Sequence, residues 1–232
     1  MPHVPLFVRK ENEGKSGGGL YGDVIGEIDT GVGRILATLR RLELEKNTLV
    51  IFTSDNGPWL LYGDHAGSAG PLREGKATPF EGGFRVPCIM WWPGKIPAAS
   101  ECSELASTID ILPTIAALTG KPLPKGRKID GLDVSGLWKG TAIKSPREEF
   151  LHYTSRGTIE GLRSGNWKLL VKKPRRNNTA KAQVFLFDLS KDVGEKNNLA
   201  EAKPDIVKNL RARMEALDAE IAENARQPWF KN

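Results

Sequence analysis

A strand that ends in oxygen-bearing side chains is the first place in this sequence where chemistry is expected. Thr48 to Thr53 is a run of β-branched and apolar residues without polar alternation, which predicts a strand buried on both faces of a parallel sheet. Asp55 and Asn56 follow it closely. Ligand sites of open α/β sheets lie off the carboxyl ends of strands, and carboxylate and amide oxygens are hard ligands for calcium or magnesium. Because Asp-Asn-Gly is also ordinary turn chemistry, these residues alone fit either a metal site or a plain turn.

Lys76 is a second candidate, in a glycine-rich loop. Gly70 and Gly75 precede it with the spacing of a nucleotide-binding P-loop. However, Ala77 stands where that motif requires Ser or Thr, and the loop has neither a strand directly before it nor a helix directly after it. The sequence therefore argues against a nucleotide site. Without its flanking residues, Lys76 would be interpreted as an exposed loop lysine.

The segments after the strand carry a more specific signal. Thr-Ser-Asp-Asn-Gly is followed by the pattern GK-x-T-x-x-EGG-x-RVP over residues 75–87 and by a Trp-Pro-Gly turn over residues 92–94. In this order and spacing, these motifs resemble the sulfatase family of the alkaline-phosphatase-like superfamily. The resemblance runs from Met1 to about Asp192, weakens after Trp138, and matches only the carboxyl-terminal half of a sulfatase.

The resemblance implies roles for four side chains. His3 begins an H-x-P element, and in sulfatases the His of this element contacts the sulfate ester. Asp55 and Asn56 are expected to bind Ca²⁺, with Mg²⁺ as the alternative, and Lys76 is expected to stabilise the sulfate charge. His3, protonated, is expected to assist the leaving oxygen. These assignments interpret the turn residues and the loop lysine as parts of one site.

The resemblance also identifies what this sequence lacks. The sulfatase nucleophile is a formylglycine made from Cys or Ser in a C/S-x-P-S-R motif, and an Asp pair near the amino terminus supplies the remaining metal ligands. No C/S-x-P-S-R motif occurs in the 232 residues, and neither Cys88 nor Cys102 fits it. Cys88 is expected to be a buried free thiol, and a disulfide with Cys102 is the alternative. We therefore expect the formylglycine in a missing upstream part and only a partial site here.

Three functions remain open from the sequence. The first is a sulfuric ester hydrolase of the arylsulfatase type, represented by an incomplete chain. The second is a phosphate or phosphonate monoester hydrolase of the same superfamily, and the third is a non-catalytic binder of sulfated ligands. The expected partner is a sulfate ester, including a sulfated glycan, while the alcohol released and the oligomeric state are left open. The family resemblance implies a secreted, periplasmic or lysosomal location.

The elements that would position these residues predict an α/β fold in two domains. Residues 1–145 are expected to be the carboxyl-terminal part of a sulfatase catalytic domain, whose sheet is flanked by helices, and residues 146–232 a small α+β subdomain. The first contains a long amphipathic helix over residues 20–42, with Asp23 on its polar face, and a helix over residues 111–118 capped by Thr108 or Asp110. The second contains short antiparallel strands and a final helix, over residues 150–153, 157–163, 167–171, 183–188 and 203–224.

Charge and composition limit the classes of partner that the sequence predicts. The net charge is +6, from 34 Lys and Arg against 28 Asp and Glu, and a mild excess of interspersed charges does not indicate a nucleic-acid partner. The densest basic cluster, Lys172 to Arg176, is expected to be a solvated loop between two strands. No apolar run approaches the ~18 residues of a membrane span. The opening residues are not expected to be a signal peptide, because they lack a long apolar core after a charged region.

Overall fold

The computed structural model describes residues 2–154, 157–172 and 181–226, and these form a mixture of helices and antiparallel sheets. The α/β class predicted from the sequence is confirmed. The backbone separates into two compact units, Met1–Ala99 and Ser100–Asn232. The domain boundary expected near residue 145 falls within the second unit and stays a prediction. No helix in the described part of the chain is both long and apolar enough to cross a membrane.

The first unit contains one long helix and a two-stranded sheet. Its elements are α1 (Gly19–Arg41), β1 (Val50–Thr53), the short helix α2 (Glu81–Phe84) and β2 (Cys88–Trp91). The long amphipathic helix predicted over residues 20–42 is thus confirmed. It contacts two 3₁₀ segments, Glu45–Asn47 and Leu60–His65, so that it lies beside the chain on either side of β1.

Strand β1 differs from the prediction in the direction of its partner and in its burial. It pairs antiparallel with β2, with Val50 opposite Trp91, instead of lying in a parallel sheet. Phe52 on β1 is 38% exposed and Ile89 on β2 is 64% exposed, so neither strand is buried on both faces. An uninterrupted apolar run indicates that a strand tends to be buried, but it does not indicate whether the neighbouring strand is parallel or antiparallel. In the described residues this sheet has only these two strands, which leaves apolar surface uncovered.

Asp23 of α1 is buried instead of lying on a solvated polar face. Its Oδ2 accepts a hydrogen bond from the Gly14 N–H at 2.7 Å, and its Oδ1 accepts one from the Ser16 N–H at 2.8 Å. The hydrogen bonds from Ser16 and Gly14 hold the pKa of this carboxyl below its usual range. Asp23 is buried because the loop before α1 folds back onto the helix. The Gly14 and Ser16 N–H groups of that loop need an acceptor, and the Asp23 carboxylate provides it. Together with an ion pair between Arg9 and Glu27, this contact fixes the segment before α1 against the helix.

The second unit combines two helical segments with a four-stranded antiparallel sheet and a final helix. Its elements are α3 (Ile111–Thr119), α4 (Ser135–Trp138), β3 (Glu149–Tyr153), β4 (Ile159–Ser164), β5 (Trp167–Lys172), β6 (Gln183–Asp188) and α5 (Pro204–Glu223). The strand order is β3-β4-β5-β6, and one face of the sheet packs against Met214 of α5. The predicted antiparallel sheet and packed final helix are confirmed. Beyond Lys172, the predicted basic loop lies outside the described residues.

Asp110 does more than cap a helix. It accepts a hydrogen bond from the Ser107 N–H at 2.8 Å, as capping predicts, and another from the Leu132 N–H at 2.8 Å. Arg147, which the sequence reasoning did not single out, donates two hydrogen bonds to the Asp110 carboxylate, at 2.8 Å from Nε and 2.5 Å from Nη2. Arg147 is 8% exposed and Asp110 is fully buried, so this pair lies in the interior of the second unit.

Candidate functional site

His3 and Lys76 lie side by side in the first unit, although 73 residues separate them in the chain. The Lys76 Nζ is 3.3 Å from the His3 Nε2. An ammonium group has only donors, so the His3 Nε2 accepts this hydrogen bond. The His3 Nδ1 therefore carries the proton and donates to the Val4 carbonyl oxygen at 2.8 Å. Lysine and histidine side chains can both bind an anion, and here their nitrogen atoms lie next to each other.

Trp59 supports this pair and was not singled out from the sequence. The Lys76 Nζ lies 4.9 Å from the centre of the Trp59 ring, a cation–π contact, and the His3 ring lies 5.7 Å from the same ring. One indole thus contacts both nitrogen-bearing side chains. The sequence signal for it is the aromatic and apolar run Trp-Leu-Leu-Tyr at residues 59–62, which Pro58 separates from the strand-end motif.

Close backbone packing fixes the position of Lys76 relative to the end of β1. The Gly57 N–H donates to the Gly83 carbonyl oxygen at 3.1 Å, and the Lys76 N–H donates to the Pro58 carbonyl oxygen at 2.9 Å. A Cβ at Gly57 would collide with the Gly82 carbonyl oxygen, so only glycine allows this approach. The glycines of the TSDNG and EGG motifs therefore hold the Lys76 loop against the residues that follow β1.

Asp55 and Asn56 lie on the turn at the carboxyl end of β1, as predicted. Asp55 is exposed and Asn56 is half-buried. Within the described residues, no hydrogen bond or ion pair joins either side chain to His3 or Lys76. The same residues contain no cluster of three or more His, Cys, Asp or Glu side chains that could hold a metal ion. The structure thus brings together two of the four predicted site residues, and the metal-binding role of Asp55 and Asn56 stays a prediction.

A surface groove adjoins the His3–Lys76 pair. It has a volume of about 370 Å³ and is lined by Val4, Pro5, Leu6, Tyr62 and His65. The Tyr62 ring packs edge-to-face against Trp59, with 4.8 Å between the ring centres, and so connects the groove to the pair. Neither His65 nor Tyr62 belongs to a motif identified in the sequence.

Cys88, at the start of β2, is exposed and free instead of buried. It lies opposite Thr53 at the end of the two-stranded sheet, where no further strand of the described residues covers it. Partial desolvation still raises the pKa of its thiol. Cys102 is also an exposed free thiol.

Comparison with known proteins identifies the family. The sulfatase family model matches residues 6–121, which is half of the chain. The chain belongs to the sulfatase family. A second model, described as the carboxyl-terminal part of N-sulphoglucosamine sulphohydrolase, matches residues 75–220 of this sulfatase chain. The family resemblance inferred from the TSDNG and EGG-x-RVP motifs is confirmed.

Individual relatives agree with this assignment. Human arylsulfatase A is 38% identical over 94% of this chain and 47% of its own length, and pig N-acetylgalactosamine-6-sulfatase is 47% identical over 72% of this chain and 31% of its own length. The solved structure of Ps i-CgsB in complex with k-i-k-neocarrahexaose has a TM-score of 0.79 and 27% identity, over all of this chain and 50% of the other. The sulfatase chain spans about half the length of the arylsulfatase it matches.

Proposed function

We propose that this sulfatase chain is the carboxyl-terminal part of a sulfuric ester hydrolase in which His3 and Lys76 bind the sulfate group of the substrate. The observation that carries this proposal is the 3.3 Å approach of the Lys76 Nζ to the His3 Nε2. Lys76 brings a donor at this spot and His3 brings a ring nitrogen that can take up a proton, and such a pair suits an anion with several oxygens. Because Lys76 is half-buried, its attraction to an anion is screened less by water than that of a fully solvated lysine.

The two side chains would act at different oxygens. The Lys76 ammonium offers up to three N–H donors, so it would stabilise the charge that spreads over the peripheral sulfate oxygens. A bound sulfate ester would replace Lys76 as the partner of the His3 Nε2. After Nε2 takes up a proton from solvent, His3 would donate that proton to the leaving oxygen as the S–O bond breaks, while its Nδ1–H stays on the Val4 carbonyl oxygen. Trp59 would keep both groups in place.

Asp55 and Asn56 are the residues that would hold a divalent cation, Ca²⁺ or Mg²⁺. Their oxygens are of the hard type that these ions prefer, and they lie on the turn after β1, two or three residues before the backbone contact that fixes Lys76. They are only part of a ligand set, since Ca²⁺ takes roughly 6–8 oxygens. When bound, the cation would polarise a sulfate oxygen, and a formylglycine from an amino-terminal half would supply the nucleophile.

The substrate class that we propose is a sulfated glycan. Support comes from the names of similar proteins, one an N-acetylgalactosamine-6-sulfatase and one a structure in complex with a neocarrahexaose. The His3–Lys76 pair itself accounts for binding of the sulfate group and does not discriminate between alcohols.

The test is to join this chain to an amino-terminal sulfatase half that carries C/S-x-P-S-R and to produce the product with a formylglycine-generating enzyme. Aryl sulfate turnover should appear only in the joined protein. Lys76→Ala and His3→Ala should each lower it by about 100-fold or more, the cost of removing one transition-state donor or acid. Lys10→Ala, an exposed lysine of the same unit, should have no effect.

Three results would contradict the proposal. Unchanged turnover in both variants would place the chemistry elsewhere. A preference for aryl phosphate would favour a phosphate monoester hydrolase. Binding of a sulfated glycan by the joined, formylglycine-bearing protein without any turnover would favour a non-catalytic binder.

A further inference from the structure

The position of His3 depends on the chain segment that follows it, and this segment is bound to α1. We propose that Glu27 of α1 is a positioning residue for the His3–Lys76 pair. It acts by binding Arg9, which lies six positions after His3 in the chain. The inference rests on the function proposed above for its effect on sulfate binding, but not for its effect on the position of His3.

His3 is an exposed side chain that needs support from the residues around it. Its Nδ1–H donates to the carbonyl oxygen of Val4, which is the next residue and moves together with it. In the described part of the chain, its contacts with distant residues are those with the Lys76 Nζ and the Trp59 ring. A hydrogen bond at an exposed side chain competes with water and contributes little free energy. The backbone that carries His3 must therefore be fixed by other residues if the pair is to persist.

Glu27 binds the backbone of Arg9 as well as its side chain. The Arg9 Nε donates to the Glu27 Oε1, and the Arg9 backbone N–H donates to the Glu27 Oε2 at 3.2 Å. Hydrogen bonds with a charged partner are stronger than neutral ones. The hydrogen bonds from Arg9 also hold the pKa of the Glu27 carboxyl below its usual range. Both carboxylate oxygens thus accept from one residue, and the bond to its backbone fixes the main chain itself.

Helix α1 also contacts the residues on the other side of the pair. The Tyr21 ring packs directly on Gly67, where a Cβ would lie 2.6 Å from a ring carbon. The same helix contacts the 3₁₀ segment Leu60–His65, which follows Trp59 in the chain. One rigid helix therefore binds the segment that carries His3 and also contacts the segment next to Trp59. Groups held by such a common element keep a defined distance from each other.

Two other contacts of the segment cannot replace Glu27. Leu6 is 7% exposed and keeps the segment near the unit, but burial of an apolar side chain has no directional preference. Glu11 pairs with Arg9 at 3.4 Å, but it belongs to the same segment and cannot attach it to the helix. Loss of Glu27 should therefore widen the range of positions that His3 occupies without releasing the whole segment.

The experiment compares variants of the full chain by NMR and uses the nuclear Overhauser effect between the rings of His3 and Trp59 as the measure of position. With 5.7 Å between the ring centres, the wild-type chain should give a clear signal. Glu27→Ala should reduce this signal by at least half. It should also weaken inorganic sulfate by roughly 3- to 10-fold, because the fraction of chains with His3 in place falls by that factor. Arg9→Lys keeps a cation and the backbone N–H, so it should keep most of both readouts.

Asp29→Ala is the matched control, because Asp29 is an exposed acid on the same helix and its removal changes the charge equally. It should change neither readout. Since the Arg9 side chain is 54% exposed, Glu27→Ala should lower the urea midpoint by at most about 0.5 M. An unchanged ring signal in Glu27→Ala, or a larger fall of the midpoint, would overturn the positioning role. If the wild-type chain binds no sulfate, the proposed function is wrong, while the ring signal still decides the role of Glu27.

Discussion

Replacing Arg147 by Met should strongly destabilise the second unit. The Arg147 guanidinium donates two hydrogen bonds to the Asp110 carboxylate and one each to the backbone oxygens of Asp130 and Glu149. Because Asp110 is fully buried, the substitution leaves a carboxylate in the interior without its counter-charge. Two backbone N–H groups, from Ser107 and Leu132, still donate to Asp110 and offset only part of that cost.

The burial of the Arg147–Asp110 pair determines how much free energy of unfolding the substitution is expected to remove. Removing one partner of a buried ion pair costs about 3–5 kcal/mol, whereas exposed pairs contribute about 0–1 kcal/mol. Arg213 provides the matched control, since it donates three hydrogen bonds to the carboxylate of Glu149, but its side chain is 51% exposed. We expect Arg147→Met to lose about 3–5 kcal/mol and Arg213→Met to lose at most about 1 kcal/mol.

Urea unfolding followed by far-UV circular dichroism measures both variants. With a slope of roughly 2 kcal/mol per molar urea, the midpoint of Arg147→Met should fall by about 1.5–2.5 M and that of Arg213→Met by about 0.5 M or less. Equal midpoints for the two variants would refute the reasoning that burial, and not hydrogen-bond geometry, decides the contribution of these pairs.

Three further predictions concern pH, packing and thiol chemistry. Burial, reinforced by the charges of Lys168 and Arg163, holds the pKa of His152 well below 6.5. The contribution of neutral His152 to the free energy of unfolding should therefore be fully present above about pH 6.5 and should fall by up to about 1.4 kcal/mol per pH unit as the pH drops. In urea titrations at several pH values, His152→Leu should reduce that slope. Gly57→Ala should lower the melting temperature and weaken sulfate binding, because the new Cβ displaces the loop that carries Lys76, whereas Gly31→Ala within α1 meets no neighbour and should be neutral or stabilising by up to about 1 kcal/mol. The raised pKa of Cys88 leaves less thiolate near pH 8, so iodoacetamide should alkylate Cys88 more slowly than it alkylates the amino acid cysteine in solution. An equal rate for the two thiols would contradict this prediction.

The second unit could be predicted closely from the sequence because its signals are local. Alternating or apolar runs bounded by turn residues indicated the strands, and apolar residues spaced three and four positions apart indicated α5. The Asp110 cap was equally local, whereas its partner Arg147 lies 37 residues away and carries no pattern of its own. An ion pair of that kind becomes visible only when the fold brings its members together.

The site was predictable only in part, for the same reason. Family motifs pointed to His3 and Lys76, and the structure places them in contact, while their roles stay predictions. Trp59 and Tyr62 belong to no motif that the sequence reasoning used, so their contacts had to be seen in three dimensions. The apolar run of β1 indicated burial but not the antiparallel pairing with β2, since hydrophobicity does not specify strand direction.

An NMR titration of the histidine rings with inorganic sulfate tests the central claim most directly. The chain has three histidines, His3, His65 and His152, so their ring signals can be assigned by substitution. We predict that the His3 signal shifts and saturates with sulfate, that the signal of the buried His152 does not move, and that Lys76→Ala abolishes the His3 shift. A His3 signal that does not respond to sulfate, or that responds equally in Lys76→Ala, would contradict the assignment of these two side chains to a sulfate site.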